Sequence, residues 1–128
     1  MKKILIIEDE QNVITYLDTL FKDHGYGTVV ATSGDVGLDL AKKEKPDLIT
    51  LDISMPDKSG IKVYRTLKED KTLQKIPVVV ITGVTGYAGS PDDFKKFLST
   101  RKSVPPPEGF MPKPIDRDAL IKMIKKLI

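Results

Sequence analysis

The chain has 128 residues, 30% of them charged and 40% hydrophobic, with a net charge of +3. That length suits one domain over residues 1–128 with a single core, and the composition excludes a disordered or fibrous chain. There is no cysteine, which excludes disulfides, thiolate metal sites and cysteine nucleophiles, and the apolar runs are too short for a signal-peptide core or a membrane span.

In chain order, short apolar runs alternate with amphipathic stretches. Lys3 to Ile7 reads as a buried strand. After it, Val13, Ile14, Leu17, Leu20 and Phe21 fall on one helical face, and Gly25 supplies the stop. Thr28 to Ala31 is a second strand. Ser33 can cap a helix whose inward face is expected to hold Val36, Leu40 and Ala41. Pro46 ends that helix, and Leu48 to Ile53 is the third strand. Residues 54–60 read as loop with a turn at Asp57 to Gly60. Ile61 to Glu69 is helical, with Val63, Tyr64 and Leu67 as its apolar side. Ile76 to Thr82 is the fourth and most continuously apolar strand. Ser90-Pro91-Asp92-Asp93 opens a short helix with Phe94, Phe97 and Leu98 on one side, and Val104 to Pro107 is extended. Phe110-Met111 is a fifth strand. A last helix begins at Asp116, with Leu120, Met123, Ile124 and Leu127 on one side.

This alternation, with strands apolar almost throughout, defines an α/β fold with a parallel sheet covered on both faces and right-handed crossovers. The late basic residues, among them Lys95, Lys96, Arg101, Lys102, Lys122, Lys125 and Lys126, have Phe97 and Phe110 between them but no recognised nucleic-acid motif beside them. They read as solvated helix faces, and no direct nucleic-acid partner is expected.

Asp52 sits near the end of an apolar strand, where an ionised carboxylate is expensive to bury without a partner. Ligands of open parallel sheets bind beyond the carboxyl ends of the strands. To that edge the first strand brings Glu8 and Asp9, the third Asp52, the fourth Thr82 and the fifth Lys113. Singly, each has an ordinary explanation as a cap, a strand residue or a surface charge. Together they suit a hard divalent cation and phosphate. Clustered carboxylates repel unless a cation intervenes, Mg²⁺ takes oxygen ligands, and a carboxylate can itself accept a phosphoryl group. His24, near the end of the first helix, reads as a partner for the helix dipole rather than a ligand.

Four pieces of the chain carry a family likeness. They are Ile6-Ile7-Glu8-Asp9-Glu10, Leu51-Asp52-Ile53-Ser54-Met55-Pro56 with Gly60, Ile81-Thr82-Gly83, and Phe110-Met111-Pro112-Lys113-Pro114. With them the chain resembles a response-regulator receiver domain, the phosphoacceptor module of bacterial two-component signalling. The resemblance implies a flavodoxin-like, doubly wound five-stranded sheet in the order 2-1-3-4-5. It implies that Asp52 takes phosphate from a histidine kinase or histidine phosphotransfer protein. Mg²⁺ would be held by Asp9, Asp52 and the backbone carbonyl of Ser54, with Glu8 acting through water. Lys113 and Thr82 would contact the phosphoryl oxygens, Thr82 and Phe110 would act as switch residues, and the Lys113–Pro114 bond would be cis.

The same likeness implies a cytoplasmic switch without substrate turnover, which engages a downstream protein and, on phosphorylation, a second copy of itself. Ser54 and Val84 would tune the lifetime of the phosphate. Val84 is apolar and cannot orient water, so slow autodephosphorylation is expected. The chain departs from the family pattern at 83–109, where Thr82 and Lys113 stand unusually far apart. The rival from another class is a receiver-like scaffold that binds partners without being phosphorylated. A flavodoxin-type carrier is disfavoured by Glu8-Asp9-Glu10, which would repel a flavin phosphate. A haloacid-dehalogenase-type phosphatase would place its nucleophile after the first strand rather than the third.

Overall fold

The computed structural model describes residues 1–53, 60–82 and 107–128. The elements are β1 (Lys3–Ile7), α1 (Gln11–Asp23), β2 (Gly27–Ala31), α2 (Gly34–Glu44), β3 (Leu48–Asp52), α3 (Gly60–Glu69), β4 (Val78–Thr82), β5 (Gly109–Pro112) and α4 (Arg117–Leu127). The sheet runs β2-β1-β3-β4-β5 and every pairing is parallel.

Side chains alternate across a strand, so each strand feeds two cores. On one face Ile4, Ile6, Leu48, Val79, Ile81 and Met111 meet Leu17, Leu20 and Phe21 of α1 and Leu120, Ile121 and Ile124 of α4. On the other, Leu5, Ile7, Ile49, Leu51, Val78 and Val80 meet Ala41 of α2 and Val63, Tyr64 and Leu67 of α3. β3 and β4 are buried along their whole length. That explains their lack of polar alternation.

The helix ends follow local chemistry. The Ser33 hydroxyl accepts the Val36 N–H at 3.3 Å, and the Asp116 carboxylate accepts the Ala119 N–H at 3.0 Å, both N-caps. α1 ends at His24, with Gly25 following at φ 87°, a conformation that favours glycine. The His24 ring lies 2.9 Å from the Leu20 carbonyl, so it satisfies the helix terminus as expected.

Two expectations need correction. α2 does not turn Val36 inward: Val36 is 46% exposed, while Gly34, Gly37 and Ala41 are buried. A Cβ on Gly37 would lie 2.6 Å from the Cδ1 of Ile7, so the helix approaches the sheet along its glycines and Val36 is rotated outward. The fourth strand begins at Val78 rather than Ile76, because Pro77 has no N–H for the ladder. The short helix expected after Ser90, the extended run before Pro107, and residues 57–59 of the turn expected at Asp57 to Gly60 lie outside the described residues, while Gly60 itself opens α3 rather than closing the loop.

Candidate functional site at the carboxyl edge of the sheet

Strand register brings the site together. Ile7 of β1 pairs with Leu51 of β3, so the next residues, Glu8 and Asp52, stand side by side. Each follows the parity of the residues facing α1 and α4, namely Ile4 and Ile6 in β1 and Leu48 in β3. Lys113 continues the same parity from Met111, and its N–H donates to the Thr82 carbonyl at 2.8 Å. Thr82 has the parity of Val78 and Val80 and emerges towards α2 and α3. Phe110, half-buried, packs on that same side. β4 and β5 therefore place the hydroxyl and the aromatic on one face, while the acids and the lysine share the other.

The charges are concentrated and unequal. Glu8 is 1% exposed and Asp52 and Thr82 are each 2% exposed. The Lys113 ammonium lies 3.4 Å from Glu8 Oε1, 3.5 Å from Asp52 Oδ2 and 3.6 Å from Glu10 Oε1. One cation thus faces three carboxylates, at loose distances from each. Glu8 Oε2 accepts the Glu10 N–H at 3.2 Å, but the buried Glu8 Oε1 accepts no hydrogen bond. Burial, then the adjoining Asp52 carboxylate, push Glu8 up to about 8, against the opposing pull of the Glu10 N–H and Lys113. Burial pulls the Lys113 ammonium down, but Asp52, Glu8 and Glu10 outweigh it and hold its pKa above the usual value.

Glu8, Asp9 and Asp52 each bring a carboxylate oxygen within 4.8 Å of the others. An oxygen-only donor set of three acids fits a hard divalent cation, and the buried Glu8 Oε1, which accepts no hydrogen bond and has only the Lys113 ammonium at 3.4 Å, keeps acceptor capacity to spare. The residues present therefore fit Mg²⁺.

Of the residues singled out in the sequence, Glu8, Asp9, Asp52, Thr82 and Lys113 sit at this edge, and Phe110 lies on β5 beneath it. Ser54 and Val84 fall outside the described residues. The Lys113–Pro114 bond is cis, as expected. Glu10 was not foreseen as a partner of Lys113; its signal was only its place after two acids at a strand end. Gly60 also has a visible task. A Cβ there would lie 2.2 Å from the Cα of Ile53, so only glycine lets α3 start against the residue that follows Asp52.

This is the fold of a receiver, with an acidic edge that fits a divalent cation, and the comparisons with known proteins agree on the fold. The model of the response regulator receiver domain matches residues 4–125, and the chain belongs to that family, the receivers of two-component signalling. It is 34% identical over 116 residues to the polar-differentiation response regulator DivK of Brucella ovis, covering 80% of this chain and 94% of that protein. Among solved structures it is similar to the signal receiver domain of a histidine kinase from Syntrophus aciditrophicus. There the identity is 28% and the TM-score 0.82, with 99% of this chain and 89% of the other covered. The chemotaxis protein CheY4 of Vibrio cholerae shares the fold at 21% identity and a TM-score of 0.82, covering 100% and 99% of the two chains. Receiver domains are phosphoacceptor switches rather than turnover enzymes. Among the described residues, no helix is long and apolar enough to cross a membrane.

Proposed function

We propose that this chain is a phosphorylation-activated receiver in which Asp52 accepts a phosphoryl group from a phosphohistidine donor, a histidine kinase or histidine phosphotransfer protein. The supporting observation is the Lys113 ammonium held between Asp52 and Glu8 at 3.5 and 3.4 Å, beside an acid trio fit for a divalent cation. In the transfer an Asp52 carboxylate oxygen forms the new P–O bond. The P–N bond to the donor imidazole breaks, its electron pair stays on that nitrogen, and a proton follows. Asp9, Asp52 and the Ser54 carbonyl would hold Mg²⁺, with Glu8 acting through water, and the bound ion would neutralise charge at the phosphoryl group.

Lys113 needs only a small shift to move from Asp52 Oδ2 to a phosphoryl oxygen. Thr82 supplies a hydroxyl at the same edge. Its movement and that of Phe110, which shares its face of the sheet, would bias a two-state equilibrium at the surface read by a downstream protein or a second copy. Val84 cannot orient a hydrolytic water, so the acyl phosphate is lost slowly. The cytoplasm is the compartment that fits such partners.

The test is incubation with Mg²⁺ and acetyl phosphate, read by intact mass. One added phosphate is expected, absent in Asp52→Asn and absent with chelator. An unlabelled wild-type chain, or label that persists in Asp52→Asn, would overturn the reading and favour a partner-binding scaffold.

A further inference from the structure

A second lysine–acid cluster lies at the opposite end of β5. Lys68, in the last turn of α3, has a side chain only 1% exposed. Its ammonium sits 2.9 and 3.0 Å from the two Glu108 oxygens and donates to the carbonyls of Ile76 at 3.2 Å and Gln74 at 3.4 Å. Glu108 Oε1 also accepts the Val78 N–H at 2.8 Å. Three segments meet there: the end of α3, the turn before β4, and the residue before β5.

β5 needs such a fixture. It has four residues, pairs with β4 alone among the described residues, and is reached through residues 83–106. So short an edge strand has few contacts of its own to fix where pairing starts, and a slip of one residue would reverse every side chain. Lys113 would then leave the face it shares with Glu8 and Asp52. The observed register sets Val79 against Gly109 and Thr82 against Pro112. Glu108 reinforces it by binding the N–H of Val78, one residue before the first pair. Gly109 adds a steric restraint, since a Cβ there would lie 2.5 Å from Met123 Sδ. Sterics forbid wrong registers, whereas the ion pair attracts the right one.

We propose that the buried Lys68–Glu108 pair is a register pin that positions Lys113, about 16 Å away along the strand, over the acidic edge. Lys68 is thus a positioning residue for phosphoryl transfer, a role that rests on the phosphoacceptor reading of Lys113. Removing it leaves Glu108 without its cation, and the register then rests on the ladder with β4, the Val78 N–H bond to Glu108 and the steric restraint at Gly109.

The test has two arms. Amide hydrogen exchange reads the register directly through the Lys113 N–H bond to Thr82. In Lys68→Met, exchange at Lys113 is expected to rise by about tenfold or more relative to β3 amides, which report the rest of the fold. Glu108→Gln, which keeps the hydrogen-bonding shape without the charge, should show a smaller rise and covers the case where Lys68→Met does not fold. The second arm is the labelling rate with acetyl phosphate and Mg²⁺, expected to fall in Lys68→Met and to show no further fall when Lys113→Ala is already present. Unchanged Lys113 exchange in the folded variants would overturn the pin. So would a rate loss that persists in the Lys113→Ala background. If the wild-type chain takes no label, the phosphoacceptor reading fails and the exchange arm still decides the register.

Discussion

The two ends of β5 carry the same chemistry in opposite states. At the amino end of the sheet, one lysine meets one carboxylate at 2.9 and 3.0 Å, and two carbonyls supply its remaining partners. At the carboxyl end, one lysine stands 3.4 to 3.6 Å from three carboxylates, and a buried oxygen of Glu8 accepts no hydrogen bond. The first cluster is saturated and neutral, the second under-filled and too negative. Saturation fixes geometry. A surplus of buried negative charge stores an unfavourable interaction that only an added cation or a proton relieves. The contrast separates a structural ion pair from a site built to receive something.

The largest expected effect tests the saturated end. Lys68→Met strips Glu108 of its cation and two carbonyls of their donor. Glu108 is 35% exposed at its side chain and can regain water, so the loss is expected to be about 2 kcal/mol rather than the larger cost of a fully buried orphan. Urea unfolding measures it, and a change under a few tenths would show that the pair contributes nothing net.

Neutralising an acid at the other end should do the reverse. Asp52→Asn removes a like charge from beside Glu8, and the metal-free chain should gain about 1 kcal/mol at pH 8, at the expense of phosphate uptake. If both substitutions destabilise, the two clusters are alike and the contrast falls.

The same surplus predicts a pH dependence. Burial and Asp52 raise Glu8 from 4.5 to about 8, so between those values the folded chain holds a proton that the unfolded chain has lost. Metal-free stability must therefore fall as pH rises through that window. Saturating Mg²⁺ should flatten the fall, since both carboxylates can then ionise. Thermal melts at pH 5 and pH 8, with Mg²⁺ and with chelator, read the difference. A Mg²⁺ effect equal at both values would show that Glu8 does not carry the surplus.

Much of this was legible in the sequence, for definite reasons. β3 and β4 are buried on both faces and so read as unbroken apolar runs. Asp52 and Thr82 close their strands and Glu8, Asp9 and Lys113 follow theirs, and parallel strands in one sheet must end at one edge. The saturated cluster was not legible. Lys68 and Glu108 are forty residues apart, a lysine in a last helical turn has the pattern of a solvated charge, and Glu108 follows prolines that signal loop. Val36 misled because apolar spacing marks a face but not its depth; close approach of Gly37 to Ile7 set the rotation of α2 instead.

The smallest effect sharpens the contrast most. Glu10 is the only exposed member of the trio around Lys113, with a side chain 64% open to solvent. Glu10→Gln should shift stability by no more than about 0.5 kcal/mol, as a solvated pair contributes little. Its negative charge nonetheless lies beside the acidic edge that an anionic phosphodonor must approach, and it shares Lys113 with the acceptor. Labelling by acetyl phosphate should therefore quicken about two- to threefold at low salt, with the gain shrinking as ionic strength rises. A slower rate would mean that Glu10 orients Lys113 rather than competing for it. The carboxyl-edge cluster would then be a positioned assembly like its counterpart at the far end of β5, and its loose distances would no longer mark a site awaiting charge.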